Sequence, residues 1–98
     1  MLVKIHKSYR LLVAICDTDL LGETFEEGNR ILEIRESFYD GEEKSESEII
    51  ELMQDLARED ATFSIAGKQS VNCALKAEII SKKGIKKVSG IPFALVLM

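Results

Sequence analysis

The apolar run Leu-Leu-Val-Ala-Ile-Cys at residues 11–16 constrains the fold more than any other part of the sequence. It contains no charged side chain and lies between Arg10 and Asp17. A continuous, partly β-branched run of this length is typical of a strand that is buried on both faces. The chain has 98 residues, of which 46% are hydrophobic, and this is enough for a single core. We therefore expect one domain that covers residues 1–98.

Shorter patterns predict the strands around this run. Residues 2–7 alternate apolar and polar side chains, as a half-buried strand does, and residues 7–10 join them to the apolar run as a hairpin. Residues 30–35 are expected to form a strand that pairs back on residues 23–25. Two further strands are expected at residues 61–67 and 91–98.

Two main helices are expected as well. Ser45 with Glu48 three residues later forms a capping box, and apolar residues recur at helical spacing after it. The second helix follows Gly67 and takes Ser70 as its N-cap. The basic stretch 81–90 is interpreted as a connector with one helical turn between residues 84 and 90. Together these elements predict an α+β fold with two layers: a mixed or largely antiparallel sheet of about four to five strands, with two main helices on one face.

The stretch 63–75 has the order in which phosphate loops are built: strand, glycine, lysine, hydroxyl, helix. A P-loop needs glycine, four residues, and then Gly-Lys-Ser/Thr. Here Thr62 stands at the first glycine and Gln69 at the hydroxyl position, so the motif fails. One hypothesis is a weaker anion site made of Gly67, Lys68 and Ser70, with Asp17 or Arg10 nearby; the other is a glycine turn followed by a serine cap.

The sequence nominates no metal site, no cofactor and no catalytic residues. His6 is the only histidine, and the two cysteines are far apart in the sequence. Both cysteines lie in apolar runs, which raise the pKa of a thiol, so we expect Cys16 and Cys73 to be buried and unreactive. The paired carboxylates lie in polar segments that resemble turns. The balance is against an enzyme.

The charges are divided along the chain, and this division carries the main functional hypothesis. The net charge of −4 is made up of +3 for residues 1–16, −12 for residues 17–60 and +5 for residues 61–98. If the two basic segments flank the same edge of the sheet, they form one patch that attracts an RNA backbone. Tyr9 and Tyr39 are the aromatic residues expected to be exposed for stacking. The candidate RNA contacts are Lys4, Lys7, Arg10, Lys68, Lys82, Lys83, Lys86 and Lys87.

Two alternatives to RNA binding stay open. One is a protein–protein adaptor that uses the acidic middle segment and the exposed part of Ser-Phe-Tyr-Asp-Gly at residues 37–41. The other is the anion binder or enzyme at residues 67–70. No apolar run approaches the ~20 residues that span a bilayer, and the first ten residues lack the pattern of a signal peptide. We expect a cytoplasmic protein without a membrane partner, either a monomer or a homodimer.

Several segments of the chain, taken together, resemble one known family. The shared features are Arg10, the pair at 16–17, Leu-Leu-Gly at 20–22, Phe-Tyr at 38–39, Gly67 and Gly-Ile-Pro at 90–92. On these residues the chain is similar to the archaeal domain-of-unknown-function family 424. Members of that family often carry a histidine after Gly-Ile-Pro, where this chain has Phe93.

The resemblance implies an α+β fold and an archaeal cytosol, and it implies no established activity. Because genes of this family accompany translation genes, it also favours RNA or ribosomal proteins as partners.

Overall fold

The computed structural model describes residues 1–97. Its strands are β1 (Leu2–Lys7), β2 (Leu11–Cys16), β3 (Thr24–Glu27), β4 (Arg30–Glu33), β5 (Glu42–Glu43), β6 (Thr62–Ala66), β7 (Lys86–Val88) and β8 (Ile91–Val96). Its helices are α1 (Glu36–Tyr39), α2 (Glu46–Ala57) and α3 (Lys68–Lys76), with single 3-10 turns at Thr18–Leu20 and Lys82–Gly84.

Six of the strands form the main sheet, in the order β5, β1, β2, β6, β8, β7. Strand β2 pairs antiparallel with β1, from Lys7 opposite Leu11 to Leu2 opposite Cys16. It pairs in parallel with β6, while the other neighbours in the sheet are antiparallel. The predicted mixed, largely antiparallel sheet is therefore confirmed. The parallel pair puts the ends of β2 and β6 side by side, and this arrangement sets the geometry of the corner at residues 67–70.

Both main helices cover one face of the sheet, as predicted. Side chains from the two central strands, including Val13 and Phe63, pack there against Ile49 and Met53 of α2 and Ala74 of α3. All five of these side chains are fully buried or nearly so. Helix α2 begins with the predicted capping box, because the Ser45 hydroxyl accepts from the Glu48 N–H and the Glu48 carboxylate accepts from the Ser45 N–H.

The second face of the sheet is covered as well, which corrects the predicted two layers. The β3–β4 hairpin forms a separate two-stranded sheet and, together with α1, packs Leu32, Ile34 and Tyr39 against Ala14 and Cys16 of β2. The main sheet has six strands, so the predicted count of four to five was also too low. The physical reason is that β2 is apolar on both faces and needs a cover on each side.

The C-terminal segment differs from its prediction in two places. The expected helical turn between residues 84 and 90 is wrong, because residues 86–88 form β7, which pairs with residues 91–93 of β8. The buried side chain of Val88 packs into the hydrophobic cluster between the main sheet and the β3–β4 hairpin. The predicted last strand is found as Ile91–Val96, and Met98 lies outside the described residues. Within residues 1–97, no helix is long and apolar enough to cross a membrane.

Candidate functional site

The corner between β6 and α3 is built around an aspartate from another strand. Asp17 directly follows β2, and its carboxylate lies against the first turn of α3. One carboxylate oxygen accepts from the backbone N–H and the hydroxyl of Ser70, both at 2.8 Å, and the other accepts from the Gln69 N–H at 3.0 Å. Gly67, with φ of 107°, adopts a conformation that other residues rarely adopt, and a Cβ there would collide with the Asp17 carboxylate. Asp17 is therefore the residue that caps α3.

This arrangement corrects the prediction that Ser70 is the N-cap. Helix α3 begins at Lys68 with Gly67 as N-cap, so Ser70 lies inside the first turn, is fully buried, and donates its hydroxyl to Asp17. The capping carboxylate comes from a residue 53 positions earlier in the chain. It reaches the helix because β2 and β6 are parallel neighbours, and the Asp17 N–H also donates to the Ala66 carbonyl at 3.1 Å.

The predicted anion site is thus filled by a side chain of the protein itself. An external anion at residues 67–70 would have to displace Asp17 from the amides that it already accepts from. Of the three residues in the predicted set, only Lys68 is exposed. Arg10, expected nearby, precedes the start of β2, whereas Asp17 follows its end. The two residues are about 20 Å apart along the strand, so Arg10 is not part of this corner.

The predicted single basic patch required both basic segments at one edge of the sheet, and this premise is wrong. Strand β1, with Lys4 and Lys7, lies next to one edge, while β7, with Lys86 and Lys87, forms the other. Four strand spacings separate them, about 19 Å. Lys4 is moreover engaged locally, because its ammonium donates to the Ser37 carbonyl at 2.9 Å.

The C-terminal half carries five exposed lysines on β7, in the turn that precedes it and at the start of α3. We call them the lysine edge: Lys68, Lys82, Lys83, Lys86 and Lys87. All five are exposed, and none makes an ion pair with another residue among 1–97. Lys86 is aligned through Phe93 with Ala66, two residues before Lys68. The Arg30 guanidinium donates to the Lys87 carbonyl at 2.6 Å and adds a further positive charge there.

Of the two tyrosines expected to be exposed for stacking on bases, one is exposed and the other is buried. Tyr9, in the β1–β2 turn, is fully exposed. Tyr39 is buried, and its hydroxyl shares a 2.9 Å hydrogen bond with the Ser64 hydroxyl, so its predicted exposure is wrong. Burial raises the pKa of the Tyr39 hydroxyl. In the segment 37–41, Phe38 is only half-buried and stacks on the His6 ring at a centroid distance of 4.8 Å.

The nucleophilic side chains lie in environments that suppress their reactivity. Burial, reinforced by the adjacent Asp17 charge, raises the pKa of the Cys16 thiol to about 12, and burial likewise raises the pKa of Cys73. Both cysteines are buried and free, as the sequence predicted. The His6 Nε2 atom lies 2.8 Å from the Phe38 carbonyl oxygen. Among residues 1–97, no three His, Cys, Asp or Glu side chains are grouped so that they could hold a metal ion.

The sequence reasoning missed a groove between β1 and α2, which we call the acidic groove. Its apolar floor is formed by Ile5, Leu52 and Leu56. Its wall is a row of carboxylates: Glu48, Glu51 and Asp55 lie along one side of α2, and Glu59 lies just past the end of that helix. The groove has a volume of about 480 Å³. The spacing of these acids along α2 is visible in the sequence, but their position beside β1 depends on the order of the strands.

A second groove lies on the hairpin side of the sheet and has a volume of about 330 Å³. Exposed Ile31 and Leu95 line it, together with half-buried Phe38 and Phe93. Phe93, which follows Gly-Ile-Pro in the sequence, therefore lines a cavity that is mainly apolar.

These features define a small α+β domain in which a mixed six-stranded sheet carries two helices on one face and a β-hairpin on the other. The family model described as "Protein of unknown function (DUF424)" matches residues 6–98. The chain belongs to this family, which confirms the resemblance seen in its sequence.

The fold is similar to the crystal structure of an uncharacterized conserved protein from Methanopyrus kandleri. The TM-score is 0.85 at 23% sequence identity, and the match covers 98% of this chain and 90% of that one. At this identity the likeness shows the fold alone. No curated protein matches the sequence.

Proposed function

We propose that the protein is a non-catalytic binding module that associates with RNA in the translation machinery, and that the lysine edge makes the contact. The observation that carries the proposal is the set of five exposed lysines, none of them paired with another residue among 1–97, in the C-terminal half of an otherwise acidic chain. Unpaired lysines are free to replace the counterions of phosphates, and the release of those counterions drives binding to a nucleic-acid backbone. Because the contact is to phosphates, it has little dependence on base sequence.

Lysines on an edge strand also prevent edge-to-edge aggregation, and this is the competing explanation for Lys86 and Lys87. The two explanations differ in their dependence on salt. If five phosphates are contacted, the affinity for single-stranded RNA should fall about 100-fold between ~50 and ~200 mM salt. Lysines that only prevent aggregation give no saturable binding at either salt concentration.

The test uses the purified chain and a fluorescent single-stranded RNA, titrated by anisotropy at several salt concentrations. The double variant Lys86→Gln/Lys87→Gln removes two charges from the lysine edge. It should weaken binding about tenfold at ~50 mM salt and lower the slope of log affinity against log salt by about 1.4.

The matched control Lys7→Gln/Lys44→Gln removes two charges near the opposite edge and should leave the affinity unchanged. Failure of the unmodified protein to bind at ~50 mM salt would refute RNA association. Equal losses in the two variants would show that the lysine edge is not the contact.

A further inference from the structure

We propose that the acidic groove binds an extended segment of a partner protein that carries lysine or arginine at alternate positions, and that this segment joins the sheet as an added strand along β1. The proposal goes beyond RNA association because it concerns the opposite edge of the sheet and a different class of partner. It is carried by three properties of the groove: an unpaired strand edge, an apolar floor and a negatively charged wall.

The first property is the unpaired edge of β1. Strand β5 pairs only with Leu2 and Val3, so no strand among residues 1–97 covers the outer side of residues 4–7. The Lys44 N–H donates to the Met1 carbonyl, which shows that the backbone groups of Met1 point outward. Because these groups alternate between the two sides of an antiparallel strand, those of Ile5 and Lys7 point outward too. Such an edge binds an extended chain through main-chain hydrogen bonds.

The second property is an apolar floor beside that edge. Ile5 remains 39% exposed although it lies on the same face of the strand as buried Val3. Leu52 and Leu56 of α2 continue the apolar surface next to it. A cavity of about 310 Å³ adjoins the groove and shares Ile5 and Leu52 with it, so the depression follows β1 past the end of β5. An added strand would cover this surface and remove it from water.

The third property is the charge of the wall. Six carboxylates and two lysines line the groove and the cavity that adjoins it. Both lysines are already engaged, since Lys4 donates to the Ser37 carbonyl and Lys44 lies 3.4 Å from the Glu42 carboxylate. Two of the six carboxylates are also paired, Glu42 with Lys44 and Asp55 with Arg58 at 3.2 Å, and the other four leave the groove with an excess of negative charge that attracts cations. It also repels phosphates, which argues against RNA as the occupant.

Charge and shape together specify the occupant. Successive side chains of a strand point to opposite faces, so every second residue of the added segment would face α2. Lysine and arginine fit these positions, because their aliphatic stems cover apolar surface while their charged ends reach the carboxylates. The helical part of the wall, from Glu48 to Asp55, spans about 10 Å, which matches about three residues of extended chain. The chain's own basic run at residues 82–87 includes the start of β7, which is already paired with β8.

The experiment uses the full chain and a fluorescein-labelled peptide of about seven alternating lysine and valine residues, long enough to overhang residues 4–7. Binding is followed by anisotropy and by the shifts of the backbone amides in ¹⁵N-labelled protein. We expect saturable binding that shifts the amides of Ile5 and Lys7. A peptide with proline at an edge-facing position lacks the amide that pairs with β1 and should bind at least tenfold more weakly. A peptide with glutamate in place of lysine should not bind.

The variant Glu51→Gln/Asp55→Gln should weaken binding of the lysine peptide about fivefold, the effect of losing two exposed ion pairs. Its matched control, Asp19→Asn/Glu23→Gln, removes the same charge from exposed sites that do not line the groove and should bind as the unmodified protein does. The proposal is overturned if the peptide does not bind, if the proline peptide binds equally well, or if both double variants behave alike. It is also overturned if sedimentation shows a dimer and dilution to the monomer shifts the amides of Ile5 and Lys7, because a second copy of the chain would then occupy β1.

Discussion

Each of the two edges of the main sheet is formed by a very short strand, but the two edges differ in charge. Each edge strand is very short: β5 pairs with two residues of β1, and β7 pairs with three residues of β8. Part of the neighbouring strand is therefore left uncovered at each edge, around Ile5 on one side and Leu95 on the other. Beside Ile5 stands the carboxylate wall of α2, whereas the edge at β7 carries lysines on the strand itself.

Because opposite charges are separated onto the two edges, a chain with a small net charge presents two strongly charged surfaces. The exposed side of β1 and strand β7 are four strand spacings, about 19 Å, apart, which is more than twice the distance over which ions screen charges at physiological salt. We therefore expect the charge of each edge to act independently of the other. Between them lie the central strands β2 and β6 together with β8, and the number of these intervening strands sets the separation. The following predictions test first this shared centre and then each edge against the other.

The largest effect is expected at Asp17, which ties the centre of the sheet to α3. The substitution Asp17→Ala removes the acceptor of three hydrogen bonds and leaves the buried Ser70 hydroxyl and N–H without a partner. We expect a loss of about 3 kcal/mol in the free energy of unfolding, seen as a fall of about 15 °C in Tm. Chemical denaturation and calorimetry provide the measurements.

The neighbouring Asp19→Ala serves as the control for this substitution, because Asp19 is exposed and makes no comparable contact. Its effect should stay within about 0.5 kcal/mol. If Asp17→Ala were equally mild, the carboxylate would not be what holds α3 to the centre of the sheet. The relative positions of the two edges would then depend on apolar packing alone.

The role of Asp17 also shows where the sequence stops being informative. Hydrophobic periodicity predicts β1, β2, α2, β6 and β8, because each buries a regular set of its own side chains. The capping box of α2 is local, with both partners three residues apart, and it was predicted correctly. The cap of α3 joins residues 53 positions apart. The sequence therefore indicated Ser70, the nearest hydroxyl, although the strand order brings Asp17 to the helix.

The short edge strands escaped prediction for the same reason. Lys-Lys-Val at β7 has no apolar alternation of its own, and it becomes a strand because Val88 is buried under the hairpin and residues 91–93 supply the pairing. The two candidate sites depend on this strand order. The lysines and the acids were visible in the sequence, but their separation onto opposite edges follows from pairings between residues distant in the chain.

An effect of intermediate size on binding affinity is expected when each of the two double variants is titrated with both the RNA and the lysine peptide. Lys86→Gln/Lys87→Gln should weaken RNA binding about tenfold and leave binding of the lysine peptide within about twofold, because the acidic groove lies beyond the screening length. Glu51→Gln/Asp55→Gln should weaken peptide binding about fivefold and leave RNA binding nearly unchanged. All four titrations can be run by anisotropy at ~50 mM salt, the concentration at which the tenfold loss of RNA affinity is expected.

If a variant at one edge changed binding of the probe for the other edge, the two edges would not be independent sites. If the acidic variant raised RNA affinity about as much as the lysine variant lowered it, binding would respond to net charge and not to either edge. If the lysine variant strengthened peptide binding by a similar factor, the acidic groove would not be an independent site.

The smallest effect is expected at Glu48, which belongs both to the capping box of α2 and to the wall of the acidic groove. Its hydrogen bond from the Ser45 N–H lowers the pKa of the Glu48 carboxyl. A carboxyl with a lowered pKa in the folded state stabilises the protein above its unfolded pKa of about 4.3, and this stabilisation is lost as the pH falls through the folded value. Glu48→Gln keeps the reach of the capping side chain but removes the charge. The variant should therefore unfold slightly more easily than the unmodified protein at pH 7, and the two denaturation midpoints should converge as the pH falls below the folded pKa of Glu48. A difference that persisted at the lowest pH at which both proteins stay folded would mean that the shape of Glu48, and not its charge, supports the start of α2. The charge of Glu48 in the wall of the acidic groove would then not contribute to the capping of α2.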